Sequence, residues 1–349
     1  MTDRPPFTND SVYVIAEAGV NHNGDTERAL ELVDVAARCG ADAVKFQTFT
    51  ADRLVTKDAR KADYQSEQLG EETSQWEMLK QYELSADQHR RLQRRCLDQD
   101  ITFLSTPFDV ASADLLDELS VPLIKLGSGE VTNKPLLRHV ASFGRPIVLS
   151  TGMSTLEEVR RALGWITDAD PECPVVALHC TSQYPASVDD VNLNAMQTMA
   201  AELDVPVGYS DHTTSVETPA LAVAAGAHVV EKHFTLDSSL PGPDHEASLE
   251  PPDLEAAIEL VRRTERTMGD PEKRPTRGEE ETKAVVRKSL HAADCIERGE
   301  RFTEANVAVL RPTDGLEPYY YDEVLGRKAS TTLEEGEPIT SAALEEQIQ

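Results

Sequence analysis

Eight short apolar runs separated by amphipathic segments constrain this chain more than any other feature. The runs are VYVIAEA (12–18), ADAVKFQ (41–47), ITFLST (101–106), VPLIKLG (121–127), RPIVLST (145–151), CPVVALHC (173–180), VPVGYS (205–210) and AHVVEKH (227–233). Helical patterns such as ERALELVDVAARCG (27–40), ASADLLDELS (111–120), TLEEVRRALGWI (155–166) and PPDLEAAIELVRRT (251–264) lie between them. Continuously apolar strands alternating with helices belong to a parallel sheet covered on both faces. Eight such units in about 250 residues is the size of a (β/α)8 TIM barrel. A doubly wound open sheet is the alternative, but AEAGVNHNG follows the first strand where a G-x-G-x-x-G dinucleotide cradle would stand.

The pattern also sets the domain organisation. The connection 48–84 has no clear period and is far longer than a usual βα loop, which marks a lid or binding loop rising after strand two. The barrel signal fades near residue 270, so 1–270 reads as the barrel domain. MGDPEKRPTRGEEETK (268–283) is polar, with two prolines and two glycines, and 271–284 reads as a linker. The remainder, 285–349, carries short β-like pieces broken by Gly and Pro, as in a small β-rich second domain.

Charge excludes several functions. The 349 residues carry 34 Lys+Arg against 62 Asp+Glu, a formal net charge of −28. Such a surface repels phosphate backbones and anionic lipid, so neither nucleic acid nor membrane is an expected partner. No run nears 18 consecutive apolar residues and the start lacks a signal-peptide pattern, so a soluble, cytoplasmic protein is expected. With 11 Lys against 23 Arg and acid spread along every helix, the composition is similar to that of halophilic proteins. An acidic protein of ordinary salt is the plainer reading. The five cysteines (Cys39, Cys96, Cys173, Cys180, Cys295) are odd in number and never spaced C-x-x-C, which argues against a disulfide framework or zinc ribbon.

Barrel active sites gather at the carboxyl ends of the strands. Those ends carry Glu17 and His22; Lys45 and Gln47; Thr106; Lys125, Ser128 and Glu130; Ser150 and Thr151; His179 and Tyr184; Ser210 and His212; Glu231 and His233. Any one of these could be a satisfied cap or turn; polar residues at all eight ends point to a site. Lys45 and Lys125 could form a Schiff base or grip an anion, and Gly127, Ser128 and Gly129 favour the anion, because small residues let backbone N–H groups approach oxygens. His212 and His233, at successive strand ends, could chelate a divalent cation or be a hydrogen-bonded rim pair. Glu17 and Glu130 are candidates for proton transfer or for holding hydroxyls. PGPDHEAS (241–248) should turn Asp244 and His245 towards the mouth.

These motifs together resemble a known family. AEAGVNHNG, VKFQT, STPFD, IKLGSGE, STGM, HCTSQYP, GYSDHT, EKHFT and PGPDHEAS, in this order, are similar to the sialic acid synthases, that is, N-acetylneuraminate and related nonulosonate synthases. RKSLHAA, RGERFTEANVAVLRP and LGRKA resemble that family's C-terminal antifreeze-like (SAF) domain. The resemblance covers about 15–349. It implies a metal-dependent condensation of phosphoenolpyruvate with the open-chain aldehyde of an N-acylated amino sugar, with carbon–oxygen cleavage and release of phosphate. By the same resemblance Lys45 and Thr106 hold the phosphoenolpyruvate carboxylate, while Lys125, Ser128 and Ser210 hold its phosphate. Ser182 stands where the family often has an asparagine that also binds phosphate. His212 and His233 would bind Mn2+, or alternatively Mg2+ or Co2+. Glu17 would orient or deprotonate water, and Gln47, Glu130, Tyr184 and Asp244 would contact the sugar. Arg311 matches an arginine that the SAF domain inserts into the partner subunit's site, which implies a domain-swapped homodimer. The other readings are a Schiff-base pyruvate aldolase and a non-catalytic sugar- or anion-binding barrel. A related phosphoenolpyruvate-dependent sugar-phosphate synthase is disfavoured by the SAF-like tail.

Overall fold

The computed structural model of the chain describes residues 11–61 and 74–346. It divides into two compact units, Met1–Gly269 and Asp270–Gln349. In the first, all eight apolar runs are strands: β1 (Tyr13–Gly19), β2 (Ala43–Thr48), β3 (Thr102–Pro107), β4 (Ile124–Leu126), β5 (Ile147–Ser150), β6 (Val175–Cys180), β7 (Val207–Asp211) and β8 (Val229–His233). They form one parallel sheet in the order β3-β2-β1-β8-β7-β6-β5-β4. The end strands β3 and β4 pack side by side, so the sheet curls into a nearly closed TIM-like barrel, as the pattern predicts.

Side-chain alternation then sorts every strand into two faces. Val14, Ala16, Val44, Phe103, Ile124, Leu149, Ala177, Tyr209 and Val230 point outward and pack against the helices. Tyr13, Ile15, Ala43, Leu104, Leu123, Val148, Val176 and Val229 point inward and fill the barrel floor. One or two steps further along the same inward face come Glu17, Lys45, Thr106, Lys125, Ser150, Ser210 and Glu231, all buried. The barrel interior is therefore an apolar plug with a polar layer on top. Several helices around it begin on side chains that accept from their own first turn, including Asp25, Ser85, Asp109, Asn133 and Thr155.

The connection 48–84 holds two short helices among its described residues, Ala51–Leu54 and Gln75–Lys80; residues 62–73 lie outside the described ones. From inside 271–284, read above as a linker, to two residues beyond it, a helix runs over Arg277–Val286 and buries none of its side chains. The second unit pairs β9 (Ser289–Ala292) antiparallel with β10 (Val307–Leu310). Leu290, Ile296, Phe302, Val324 and Ile339 form its separate small core.

Candidate active site

The polar layer opens into a cavity of about 440 Å3. Glu17, Lys45, Gln47, Thr106, Lys125, Ser128, Ser182, Tyr184, Ser210, His212, His233 and Asp244 all line it, joined by Glu231 and Ser150. Strand alternation explains the convergence, since each of these strand residues is on the inward face of its strand.

Four charges sit at the centre. Lys45 Nζ is 2.7 Å from Glu17 Oε2 and 3.7 Å from Glu231 Oε2, and donates to Thr106 Oγ1 at 3.0 Å. Lys125 Nζ is 3.4 Å from Glu231 Oε1, which also accepts from Ser210 Oγ at 2.9 Å. Burial pushes the Glu17 carboxyl up, and the nearby Glu231 charge adds to that rise against the pull of Lys45. Burial acts on Glu231 in the same sense, but Lys125, Lys45 and His233 together outweigh it and hold Glu231 below the usual carboxylate range. Burial pulls both ammonium groups down; Glu17 and Glu231 reverse this at Lys45, whereas Lys125, repelled by Lys45, stays depressed. Burial also raises Asp244, at the cavity wall, to about 6 despite Lys45.

Beside Lys125 the walls are made of small donors. Ser128 Oγ accepts from Gly152 N at 2.9 Å and lies 3.1 Å from Cys180 Sγ. A Cβ on Gly152 would meet Ser182 Oγ at 2.2 Å and Ser128 Oγ at 2.9 Å, so only glycine lets this backbone approach both hydroxyls. Hydroxyls, a backbone N–H and a lysine converging in one corner can hold the oxygens of an anion.

His212 and His233 also line the cavity, ring centroids 5.3 Å apart, with Tyr184 4.2 Å from the first and 5.6 Å from the second. Thr181 O accepts from His212 Nδ1 at 2.6 Å, which leaves Nε2 with its lone pair. Nδ1 of His233 is buried without a hydrogen-bond partner. Burial lowers His212 to about 4 and depresses His233 as well, so both rings are neutral at pH 7, the protonation state a metal ligand needs. Among the described residues no group of three or more His, Cys, Asp or Glu is placed to hold a metal ion. A divalent ion would fit this pair of nitrogens only with oxygens from water or substrate completing its shell.

Some residues named from the sequence are not among those lining the cavity, His22, Thr151 and His179 included. Glu130 is not among the lining side chains: it ends a 3-10 turn, Ser128–Glu130, and its carboxylate accepts from Asn133 Nδ2 at 2.6 Å. His245 turns away from the mouth, bonded to Thr235 Oγ1 at 2.6 Å and Asn23 Oδ1 at 3.0 Å. Arg311 belongs to the second unit, where the sequence reading placed it. Glu231 was noted only as a polar strand end; its i, i+2 spacing to His233 was the available signal, because both must then face the interior. Leu54, Met78, Leu79 and Tyr82, from the long connection, form an apolar wall that no motif announced.

Residues 32–273 match the NeuB family and residues 287–345 match the SAF domain. The chain is 45% identical to the N,N'-diacetyllegionaminic acid synthase of Legionella pneumophila, over 95% of this chain and 94% of that protein. It is 43% identical to the enzyme of the same name from Campylobacter jejuni, over 93% and 98% of the two chains. Among solved structures, the N-acetylneuraminic acid (sialic acid) synthetase of Leptospira borgpetersenii, in complex with citrate, superposes with a TM-score of 0.69 at 34% identity, covering 78% of this chain and 90% of that one.

Proposed function

The chain belongs to the NeuB family, and from that membership we propose that it is a nonulosonic acid synthase. It condenses phosphoenolpyruvate, water and the open-chain aldehyde of an N-acylated amino sugar, and it releases inorganic phosphate. The C2=C3 π electrons of phosphoenolpyruvate form the bond from C3 to the aldehyde carbon, whose oxygen becomes a hydroxyl; water adds to C2, the C2–O bond of the C2–O–P bridge breaks so that the bridging oxygen leaves with phosphate, C2 becomes a ketone carbon, and the two water protons end on the new hydroxyl and on phosphate. The observation that carries this reading is the convergence of two lysines, two carboxylates and a neutral histidine pair on one cavity.

Lys45 and Thr106 bind the donor's carboxylate, and Lys125, Ser128, Ser182 and Ser210 bind its phosphate. The side chains of the polar layer are buried, which strengthens each of these contacts. Glu17 accepts the proton of the attacking water at a carboxylate oxygen; its raised proton affinity suits a base working near neutral pH. His212 and His233 would hold Mn2+, or Mg2+ or Co2+, which when bound supplies Lewis-acid polarisation of the acceptor's carbonyl. Gln47, Tyr184 and Asp244 orient the sugar. Glu130 reaches the sugar only if its bond to Asn133 opens. Arg311 completes the sugar site across a domain-swapped homodimer.

The acceptor is an unphosphorylated sugar. Apart from Arg311, assigned above to the sugar, Lys45 and Lys125 are the lining cations among the described residues, and the donor uses both. Leu54, Met78, Leu79, Tyr82 and Phe108 present apolar surface suited to acyl methyl groups. The names of the two bacterial relatives support a doubly N-acetylated acceptor. Phosphate release with Mn2+ and phosphoenolpyruvate tests the reading across N-acetylmannosamine, its 6-phosphate and diacetamido sugars. Turnover confined to uncharged acceptors supports it, and turnover only with the 6-phosphate refutes the acceptor assignment. A borohydride-trapped pyruvate adduct on Lys125 would instead establish a Schiff-base aldolase.

A further inference from the structure

Behind the histidine pair, on the helix-facing side of the barrel, lies a second buried ion pair that the proposed reaction does not use. Lys232 Nζ donates to Asp211 Oδ2 at 2.6 Å. Lys232 is 2% exposed and Asp211 0%. Most of the remaining bonds of both groups converge on Thr213. Lys232 Nζ also donates to the carbonyl oxygen of Thr213 and, at 3.4 Å, to its hydroxyl. Asp211 accepts from Thr213 N at 3.0 Å, Thr213 Oγ1 at 3.2 Å and Tyr209 OH at 3.3 Å.

Placement in the strands gives this network its meaning. The β7–β8 ladder pairs Ser210 with Glu231 and ends by pairing Asp211 with Lys232. His212 lies one residue past the end of β7. Alternation puts 211 and 213 on the outer side while His212 turns inward, and it puts Lys232 outside between inward Glu231 and His233. The ion pair therefore ties down the backbone on both sides of His212 and links it to the residue before His233. Apolar side chains of similar volume would join two strands at least as stably as a buried ion pair. What the charges add is direction, through at least six hydrogen bonds that specify where residues 211 and 213 sit.

We propose that Asp211 and Lys232 are positioning residues that fix the separation and aim of His212 and His233. This rests on the reading of that pair as the metal ligands. Outer groups that orient ligands change metal affinity by about 10–100-fold when removed.

The test is Mn2+ binding to the full-length protein, read from the free-ion EPR signal without substrates. The double variant Asp211→Asn with Lys232→Met removes both charges together and so avoids a buried unpaired ion. Its Mn2+ dissociation constant is expected to rise about 10–100-fold, with phosphoenolpyruvate binding in metal-free buffer unchanged. Lys232→Arg, which keeps the pair, should bind Mn2+ nearly as the unaltered chain does. Thr213→Val, which removes only the hydroxyl bonds, should shift affinity in the same direction as the double variant and supplies the test if that variant fails to fold. A double or Thr213 variant that binds Mn2+ within twofold of the unaltered chain, while His233→Ala loses binding, overturns the positioning role alone. Mn2+ binding that survives His233→Ala overturns the metal-pair reading and this proposal together.

Discussion

Glu231 faces both active-site lysines, and replacing it by glutamine makes a specific energetic prediction. With all four groups ionised, Lys45, Lys125, Glu17 and Glu231 sum to zero charge in the unaltered chain; in Glu231→Gln the cluster carries one uncompensated positive charge. Breaking a buried pair by removing one partner costs about 3–5 kcal/mol. At about 2 °C per kcal/mol for a unit of this size, the barrel's Tm should fall by about 6–10 °C. In the proposed binding mode phosphoenolpyruvate brings anionic groups to the same lysines, so it should restore much of that loss. Calorimetry with and without phosphoenolpyruvate, in metal-free buffer, reads both effects. The ligand-induced rise in Tm should be larger in Glu231→Gln than in the unaltered chain. Without the Glu231 charge, Glu17 should also become more acidic, moving the acid limb of the pH–rate profile to lower pH. A fall in Tm below about 2 °C, or an equal ligand shift in both proteins, would refute the charge balance.

Three other outcomes are expected. Gly152→Ala would place a methyl against Ser182 and Ser128, so KM for phosphoenolpyruvate should rise about tenfold or more, as misplacement at a reacting site does, while the fold survives; an unchanged KM would remove this corner from the donor site. His22 and His245 are held near 4 by burial, against 6.5 for the free side chain. The unfolded chain therefore takes up their protons first, and stability should fall as pH drops from about 6.5 to about 4, with His22 contributing on the order of 3 kcal/mol; His22→Phe should flatten that limb in acid denaturation curves. With a net charge of −28, stability should increase as KCl is raised through the range where screening acts, and a flat Tm would contradict the high-salt reading of the composition.

The barrel was legible because its signal is repeated eight times. Each run is apolar on both faces, and that pattern survives local irregularities. The run 121–127 contributes only Ile124–Leu126 to the sheet, yet Val121 and Leu123 are fully buried, so the apolar pattern reports burial more faithfully than hydrogen bonding. The lysines and histidines were legible because a charged or polar residue inside an apolar run has few places to go. The directions of Glu130 and His245 were not legible for a common reason. Both follow a strand by several residues, where turn geometry decides direction, and the turns aim them at Asn133 and at Thr235 with Asn23. Asp211 and Lys232 escaped notice because their partners lie across strands or beyond a strand end. The apolar wall from Leu54 to Tyr82 required knowing how a long connection folds back, which sequence period does not encode.

The proposed chemistry is tested most directly by the fate of one oxygen. Phosphoenolpyruvate carrying 18O in the bridge between C2 and phosphorus is turned over with Mn2+ and the acceptor sugar, and the released phosphate is analysed by mass spectrometry. Condensation with C–O cleavage predicts that the label leaves with inorganic phosphate. Label retained in the sugar acid or in pyruvate would mean that the P–O bond breaks, and would contradict the account.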